Sequence, residues 1–259
     1  MSTLRVVRDS ETIWRAEVCG GKSLNAIDFD VMHGFELLLD ELESSEHIRV
    51  FVLSGEGTRS FISGGDLKAF SSLTTEEDAR IMSERMKSIL KRIELLPCWT
   101  VAHINGDAYG GGCETMAAFD FRYTHQAVKL GWTQARFGLT PGWGGLTRLI
   151  ELVGQSTALL WLAQAKVVDA QTAHMAGFIN HVAPNAIQLK LDVDALCVTL
   201  ARQERVFIDA LKTGARHLKT HGRTSSIDAE LSAFSKLWAS PIHHQRVAAF
   251  LRAPQKEST

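Results

Sequence analysis

Cysteine is sparse and scattered in this 259-residue chain: Cys19, Cys98, Cys113 and Cys197 form no Cys-x-x-Cys pair. That spacing argues against a structural zinc site and against a disulfide framework, so a reducing, cytoplasmic setting is the expectation. Net charge is also missing. Twenty-eight Lys plus Arg balance 29 Asp plus Glu, which leaves no global field to draw the chain to nucleic acid or to a membrane surface. No run approaches the roughly 18 apolar residues of a membrane span. The first residues alternate as a strand rather than forming the apolar core of a signal peptide. Hydrophobic residues at 45% and charged residues at 22% are those of a folded globular protein able to bury a sizeable core.

Periodicity supplies the elements. Trp14, Ala16 and Val18 share one face of a strand over Ile13 to Val18, and Val31, Phe35, Leu38, Leu39 and Leu42 fall at helical spacing. Residues 49–54 form a short buried strand. Thr74-Thr75-Glu76-Glu77 starts a helix in the manner of a capping box; Met82, Met86, Ile89, Leu90 and Ile93 continue it as core positions, and Pro97 closes it. Strands are expected at residues 99–104, 119–123 and 128–132. Short helices follow at 146–153, 158–165 and 170–176, then a strand or turn at 177–182. From residue 186 onward the pattern is helical, over 189–219, 226–238 and 242–251. The division expected is a core of residues 1–185 followed by a helical region, 186–259, with a role in oligomerisation.

Two nucleotide-binding patterns fail on inspection. Gly21-Lys22-Ser23 lacks the glycine a phosphate loop needs at position 16, where Ala16 stands, and Gly55-Glu56-Gly57 has Ser60 where a dinucleotide fingerprint has its third glycine. His103, His125, His174, His181, His243 and His244 show no recurring ligand spacing, so no metal is expected. Ser63 has no Gly-x-Ser-x-Gly context. Lys68 and Arg59 are either phosphate contacts or solvated surface charges.

The informative stretch runs from Ile104 to Gly145. A strand delivers the chain to Gly110-Gly111-Gly112, and Glu114 follows where a helix begins. Bare N–H groups at a helix N-terminus suit an anion, or a carbonyl oxygen that becomes one during reaction. The alternative is a tight turn in which Glu114 only offsets the helix dipole. Ser63-Gly64-Gly65-Asp66 offers a second such turn.

With Leu24-Asn25-Ala26, Ser63-Gly64-Gly65-Asp66-Leu67, Asn105-Gly106, Gly110-Gly111-Gly112-Cys113-Glu114, Asp120, the run from Phe137 to Gly145, Arg148-Leu149 and Ala249-Phe250-Leu251, the chain resembles the crotonase, or enoyl-CoA hydratase/isomerase, superfamily over nearly its whole length. The resemblance implies an α/β fold, a crotonase-like spiral of ββα units with a C-terminal helical trimerisation region, assembled as a homotrimer or a dimer of trimers. It implies an acyl-CoA substrate, with coenzyme A as part of that substrate, no separate cofactor, no metal, and a place in fatty acid metabolism. The N–H groups of Gly65 and Gly111 match the oxyanion-hole positions, and Glu114 matches the first catalytic glutamate.

Gln134 stands where hydratases of this family carry their second glutamate. An amide does not take a proton at neutral pH, so water addition loses one acid/base partner. Decarboxylation needs the oxyanion hole and only a later proton donor. Asp120-Phe121-Arg122, the Pro141 to Gly145 turn and the Gly65 to Ala69 stretch are most similar to the branch containing ethylmalonyl-CoA decarboxylase. The expected reaction is therefore decarboxylation of an ethylmalonyl- or methylmalonyl-type CoA, a carboxy-lyase, with hydration or isomerisation as alternatives and a catalytically silent CoA-binding scaffold as the reading from another class. Gly65, Gly111, Glu114 and Gln134 are the catalytic candidates. Ser63, Gly64, Asp66, Leu67, Lys68, Trp132, Pro141 and Trp143 are the substrate-binding ones, the two tryptophans as pocket walls rather than nucleic-acid platforms.

Overall fold

The computed structural model describes residues 2–21 and 24–252. Lys22 and Ser23 of the rejected phosphate-loop pattern lie outside the described residues. Two compact units divide between Gln203 and Glu204.

In the first unit, β1 (Thr3–Arg8) and β2 (Ile13–Cys19) form an antiparallel hairpin, and α1 (Phe29–Ser44) follows. The Asp28 carboxylate starts α1 by accepting from the Asp30 and Val31 N–H groups. Successive ββα turns then build the body: β3 (Val50–Gly55), β4 (Ser60–Ile62) and α2 (Glu76–Leu95); β5 (Trp99–Ile104), β6 (Asp107–Tyr109) and α3 (Gly111–Met116); β7 (Phe121–His125), β8 (Lys129–Gly131) and α4 (Gly145–Val153). Each turn gives one strand to each of two sheets. The chain continues through α5 (Gln155–Ala163), β9 (Val167–Asp169), α6 (Ala170–Met175), β10 (His181–Ala183) and α7 (Ala186–Leu200). The larger sheet runs β1-β2-β3-β5-β7-β10 and is parallel from β2 onward, and the smaller runs β4-β6-β8-β9. This is the spiral of ββα units expected from the sequence.

The expected capping box is present at Thr75, whose hydroxyl accepts from the Asp78 N–H while the Asp78 carboxylate accepts from the Thr75 N–H. Buried Met86, Ile89, Leu90 and Ile93 of α2 and Phe35, Leu38, Leu39 and Leu42 of α1 join one core, with the burial of each large side chain stabilising the fold by about 1.5–3 kcal/mol. Asn105, from the Asn-Gly motif, fixes the end of β5 to the β3 to β4 turn: its amide donates to the Gly55 and Gly57 carbonyls, both at 2.6 Å, and its oxygen accepts from the Gly55 N–H at 3.0 Å. Arg122 is a core tie, donating to the carbonyls of Phe178 at 2.6 Å and Phe119 at 2.5 Å.

Several boundaries differ from expectation. The strand expected from residue 119 begins at Phe121, because Asp120 turns its carboxylate to the N–H and hydroxyl of Thr100, both at 2.9 Å. The single helix expected over 189–219 is broken at residues 201–204. Leu189, Val193 and Cys197 of α7 pack on the outer face of the larger sheet; the helix ends where that contact ends, with no glycine or proline to announce the stop. The first compact unit consequently reaches Gln203 rather than residue 185.

The second unit holds α8 (Arg205–Trp238) and α9 (Pro241–Arg252). Gly222, at φ 81° and ψ 176°, interrupts α8, a backbone conformation open to glycine and strained for other residues. The arms on either side meet where the Ser226 hydroxyl donates to the Gly214 carbonyl at 3.2 Å. Leu231, Phe234, Trp238 and Phe250 are exposed.

Candidate active site

The first unit contains a largely apolar cavity of about 720 Å³, bordered by the two glycine turns, the start of α2 and the segment after β8, a size suited to a small-molecule ligand. Gly65 pairs with Ile27 in an isolated parallel bridge. The bridge is made by the Ile27 N–H donating to the Gly64 carbonyl and the Asp66 N–H donating to the Ile27 carbonyl, both at 2.8 Å. In that geometry the Gly65 N–H points away from its partner strand. Gly111 opens α3, so its N–H has no carbonyl one turn back to bond. Both glycines border the cavity, and a Cβ built on Gly64 would lie 3.6 Å from the Gly111 nitrogen, so the turns are neighbours.

The Trp143 indole covers both. A Cβ on Gly111 would fall 2.1 Å from its Cζ3, and one on Gly65 would fall 3.4 Å from its Cζ2. Glycine is required at 111 by this approach of ring to backbone.

Glu114, 3% exposed, sits in the first turn of α3 and faces the turn after residue 141. Its Oε2 accepts from the N–H groups of Trp143 at 2.8 Å and Gly145 at 2.9 Å; its Oε1 accepts from the Gly142 N–H at 3.3 Å and from Nε2 of Gln134 at 3.0 Å. Burial pushes the carboxyl above the usual carboxylate range, while the Trp143 N–H, the Gln134 amide and the Gly145 and Gly142 N–H groups pull it partly back. The same turn is held from the other side. Arg148 donates to the Trp143 carbonyl at 2.7 Å and pairs with both oxygens of Glu94 on α2, at 2.7 and 3.0 Å, and the Ser83 hydroxyl donates to the Gly142 carbonyl.

Gln134 opens a short 3-10 turn, Gln134–Phe137, directly after β8. It is 9% exposed and borders the cavity, and its Oε1 has no hydrogen-bond partner among the described residues. The cavity end therefore carries one carboxylate and one carboxamide, bonded to each other.

Of the residues singled out from sequence, Ser63, Gly64, Gly65, Leu67, Gly111, Glu114, Gln134 and Trp143 border the cavity, whereas Asp66, Lys68, Trp132 and Pro141 do not. Trp132 is fully buried and meets Phe178 edge to face with ring centroids 5.8 Å apart, which makes it a core residue and not a pocket wall. The Asp66 carboxylate accepts from the N–H groups of Lys68 at 2.9 Å and Ala69 at 3.0 Å, closing its own turn, and Lys68 is exposed. Sequence reasoning missed Phe70, Tyr109 and Phe137 at the cavity and read Met82 as core, although it too borders the cavity. Met82 lies within the apolar stripe of α2, towards its N-terminal end, so its spacing alone reads as core. Arg148 is picked out only within the family-like Arg148-Leu149 pair, with no role assigned to it. Among the described residues, no group of three or more His, Cys, Asp or Glu is placed to hold a metal ion.

The sequence pattern of the enoyl-CoA hydratase/isomerase family matches residues 11–255. The chain belongs to this family. Its fold is shared with an enoyl-CoA hydratase from Bacillus anthracis at 23% identity, covering 96% of this chain and 95% of the other with a TM-score of 0.91, and with one from Mycobacterium smegmatis at 20% identity, covering 98% of each with a TM-score of 0.92. Pseudomonas aeruginosa DspI is similar at 26% identity, covering 99% of this chain and 97% of the other with a TM-score of 0.89. An acyl-CoA thioester is the substrate class consistent with this family. No helix of the described residues is long and apolar enough to cross a membrane.

Proposed function

We propose that this enzyme decarboxylates a malonyl-type acyl-CoA, of the ethylmalonyl or methylmalonyl kind, through a thioester enolate. In this reading the thioester oxygen accepts from the N–H groups of Gly65 and Gly111. Loss of CO2 leaves the electrons of the broken C–C bond on the thioester, and the α-carbon then takes a proton. One such N–H donor is typically worth about 3–4 kcal/mol to the transition state. Trp143 keeps the glycine turns in place, and Glu114 is the buried acid beside them, whereas Glu76, which also borders the cavity, is exposed.

The observation that carries the reading is the Gln134 amide donating to Glu114 Oε1 at 3.0 Å. A water molecule at that end of the cavity has one carboxylate beside it, so addition of water across a double bond lacks a second proton-transfer group. Decarboxylation asks for one proton only.

Hydration of a 2-enoyl-CoA is the second reading, favoured by the enoyl-CoA hydratase names of the B. anthracis and M. smegmatis proteins and by a buried carboxylate at the cavity. Incubating the protein with ethylmalonyl-, methylmalonyl- and malonyl-CoA while following CO2, and in parallel with crotonyl-CoA while following loss of the enoyl absorbance, separates the two. Water addition to crotonyl-CoA without CO2 release overturns the first reading. A homotrimer or dimer of trimers and a cytoplasmic location belong to the same proposal. The exposed apolar side chains of α8 and α9 support the assembly, and a monomer by light scattering would contradict it.

A further inference from the structure

A malonyl-type substrate brings a negative charge to a cavity end that already holds Glu114, and two carboxylates within a few ångströms in a desolvated site do not both stay ionised. The pair formed by Glu114 and Gln134 has a second arrangement that removes this conflict by a half-turn of the Gln134 carboxamide alone. When Glu114 is ionised, Gln134 spends its Nε2 on Oε1 at 3.0 Å and is left with Oε1, an acceptor, without a partner. When Glu114 carries a proton on Oε1, the carboxamide can exchange its ends. Its oxygen then accepts from the Glu114 hydroxyl, and its NH2 group becomes the unpartnered end. Oε2 keeps the N–H groups of Trp143 and Gly145 in both arrangements, so the turn that carries Trp143 stays anchored.

We propose that Glu114 and Gln134 form a proton-coupled selector, in which an acyl thioester bearing a carboxylate is bound together with one proton and the reversed Gln134 amide donates to that carboxylate. The inference rests on the acyl-CoA reading above and adds which charge state of ligand the site takes. It is a switch between a cavity end that offers an acceptor and one that offers a donor, set by a single proton drawn from solvent. A glutamate at 134 has no such reversal, because it becomes a donor only by taking up a proton of its own.

Other charged groups around Glu114 already have partners of their own or lie at the surface. On α4, Arg148 is paired with Glu94 and Glu151 is exposed. On β6, Asp107 accepts from the Tyr109 hydroxyl and the Lys129 N–H. Arg136, in the 3-10 turn, donates to the Ala165 carbonyl. At the start of α2, Glu76 and Arg80 border the cavity, as Arg136 does; Arg80 is paired with Glu77 and Glu84, and Glu76 is exposed. Asp66 and Lys68 lie in their own turn, outside the cavity lining. Cys113, the neighbour of Glu114, is fully buried, which pushes its thiol up and keeps it neutral.

Titration calorimetry tests the coupling on the unaltered protein, using a malonyl-CoA analogue whose thioester sulfur is replaced by NH and the matching acetyl analogue. Each is titrated in two buffers of different ionisation enthalpy across a pH series. The carboxylated ligand is expected to take up close to one proton per site at the upper end of the series and to lose affinity by up to about tenfold per pH unit. The acetyl ligand takes up none and binds independently of pH. Gln134→Leu should weaken the carboxylated ligand at least tenfold more than the acetyl one. Binding of both ligands with equal proton uptake, or with none, overturns the selector and leaves the acyl-CoA reading standing. Binding of neither overturns both.

Discussion

The Trp143 indole lies so close to Gly111 that the Cα hydrogen is the only substituent the space admits: a methyl carbon there would stand 2.1 Å from Cζ3, 2.5 Å from Cη2 and 2.9 Å from Cε3. At Gly65 the corresponding atom would meet the tip of the Phe70 ring at 2.8 Å and Trp143 only at 3.4 Å. The two glycines have matched roles in the proposed chemistry but different tolerance.

Gly111→Ala is therefore expected to displace the Trp143 ring and with it the α3 N-terminus. Turnover should fall by about 10²–10³, the usual effect of losing one oxyanion donor. Gly65→Ala should cost less, since a phenyl ring gives way more readily than a tryptophan fixed through both its N–H and its carbonyl. Steady-state kinetics of the two variants on whichever acyl-CoA proves active will rank them, and equal losses would count against the packing argument.

Arg148 holds the Trp143 carbonyl and Glu94 together at the base of the same turn. Arg148→Met keeps much of the side-chain volume and removes those charge-assisted hydrogen bonds, each worth about 1.5–3 kcal/mol. A drop in unfolding free energy of about 2–3 kcal/mol, with a fall in kcat, is expected from urea denaturation and kinetics. An unchanged denaturation midpoint would show that the turn is held by Glu114 and Ser83 alone.

The Glu114 carboxyl, raised above its ordinary value of 4.5 by burial, makes a pH-dependent contribution of defined sign. Between 4.5 and the raised value the folded protein binds more protons than the unfolded chain, so this contribution declines as pH rises through the window. Glu114→Gln does not titrate. The stability of the natural protein relative to this variant should be greatest near pH 4.5 and diminish upward, as measured by urea unfolding at a series of pH values. A difference that grows with pH would reverse the assignment.

His103 behaves in the opposite sense. Burial, aided by the Arg15 charge, pushes its imidazole down to about 4 from 6.5. The unfolded chain binds more protons between those values, so the stability is fully present above pH 6.5 and is lost as pH falls towards 4. The loss is on the order of 3 kcal/mol. His103→Gln should flatten the acid limb of the stability profile, and an acid limb unchanged by the substitution would place the sensitive group elsewhere.

Local pattern reached far in this chain. The apolar spacing of α1 and α2 and the Thr75 cap are readable without a structure, because helix periodicity and capping act over a few residues. The ordered glycine motifs were enough to place the chain in its family and to pick out Gly65, Gly111, Glu114 and Gln134. The sequence alone also determined that residue 134, where hydratases of the family carry their second glutamate, is an amide.

The tertiary structure alone decided what the Glu114 carboxylate is bound to. Its donors come from residues 134, 142, 143 and 145, and hydrogen bonds across 20 to 31 positions leave no local trace. The same holds for the two tryptophans expected as pocket walls. Trp132 follows β8 into the core against Phe178, while Trp143 is turned over the glycines by Glu114 and Arg148. Both are large, amphipathic and near the same motif, so only the contacts that close over long sequence separations distinguish the core ring from the one that roofs the site.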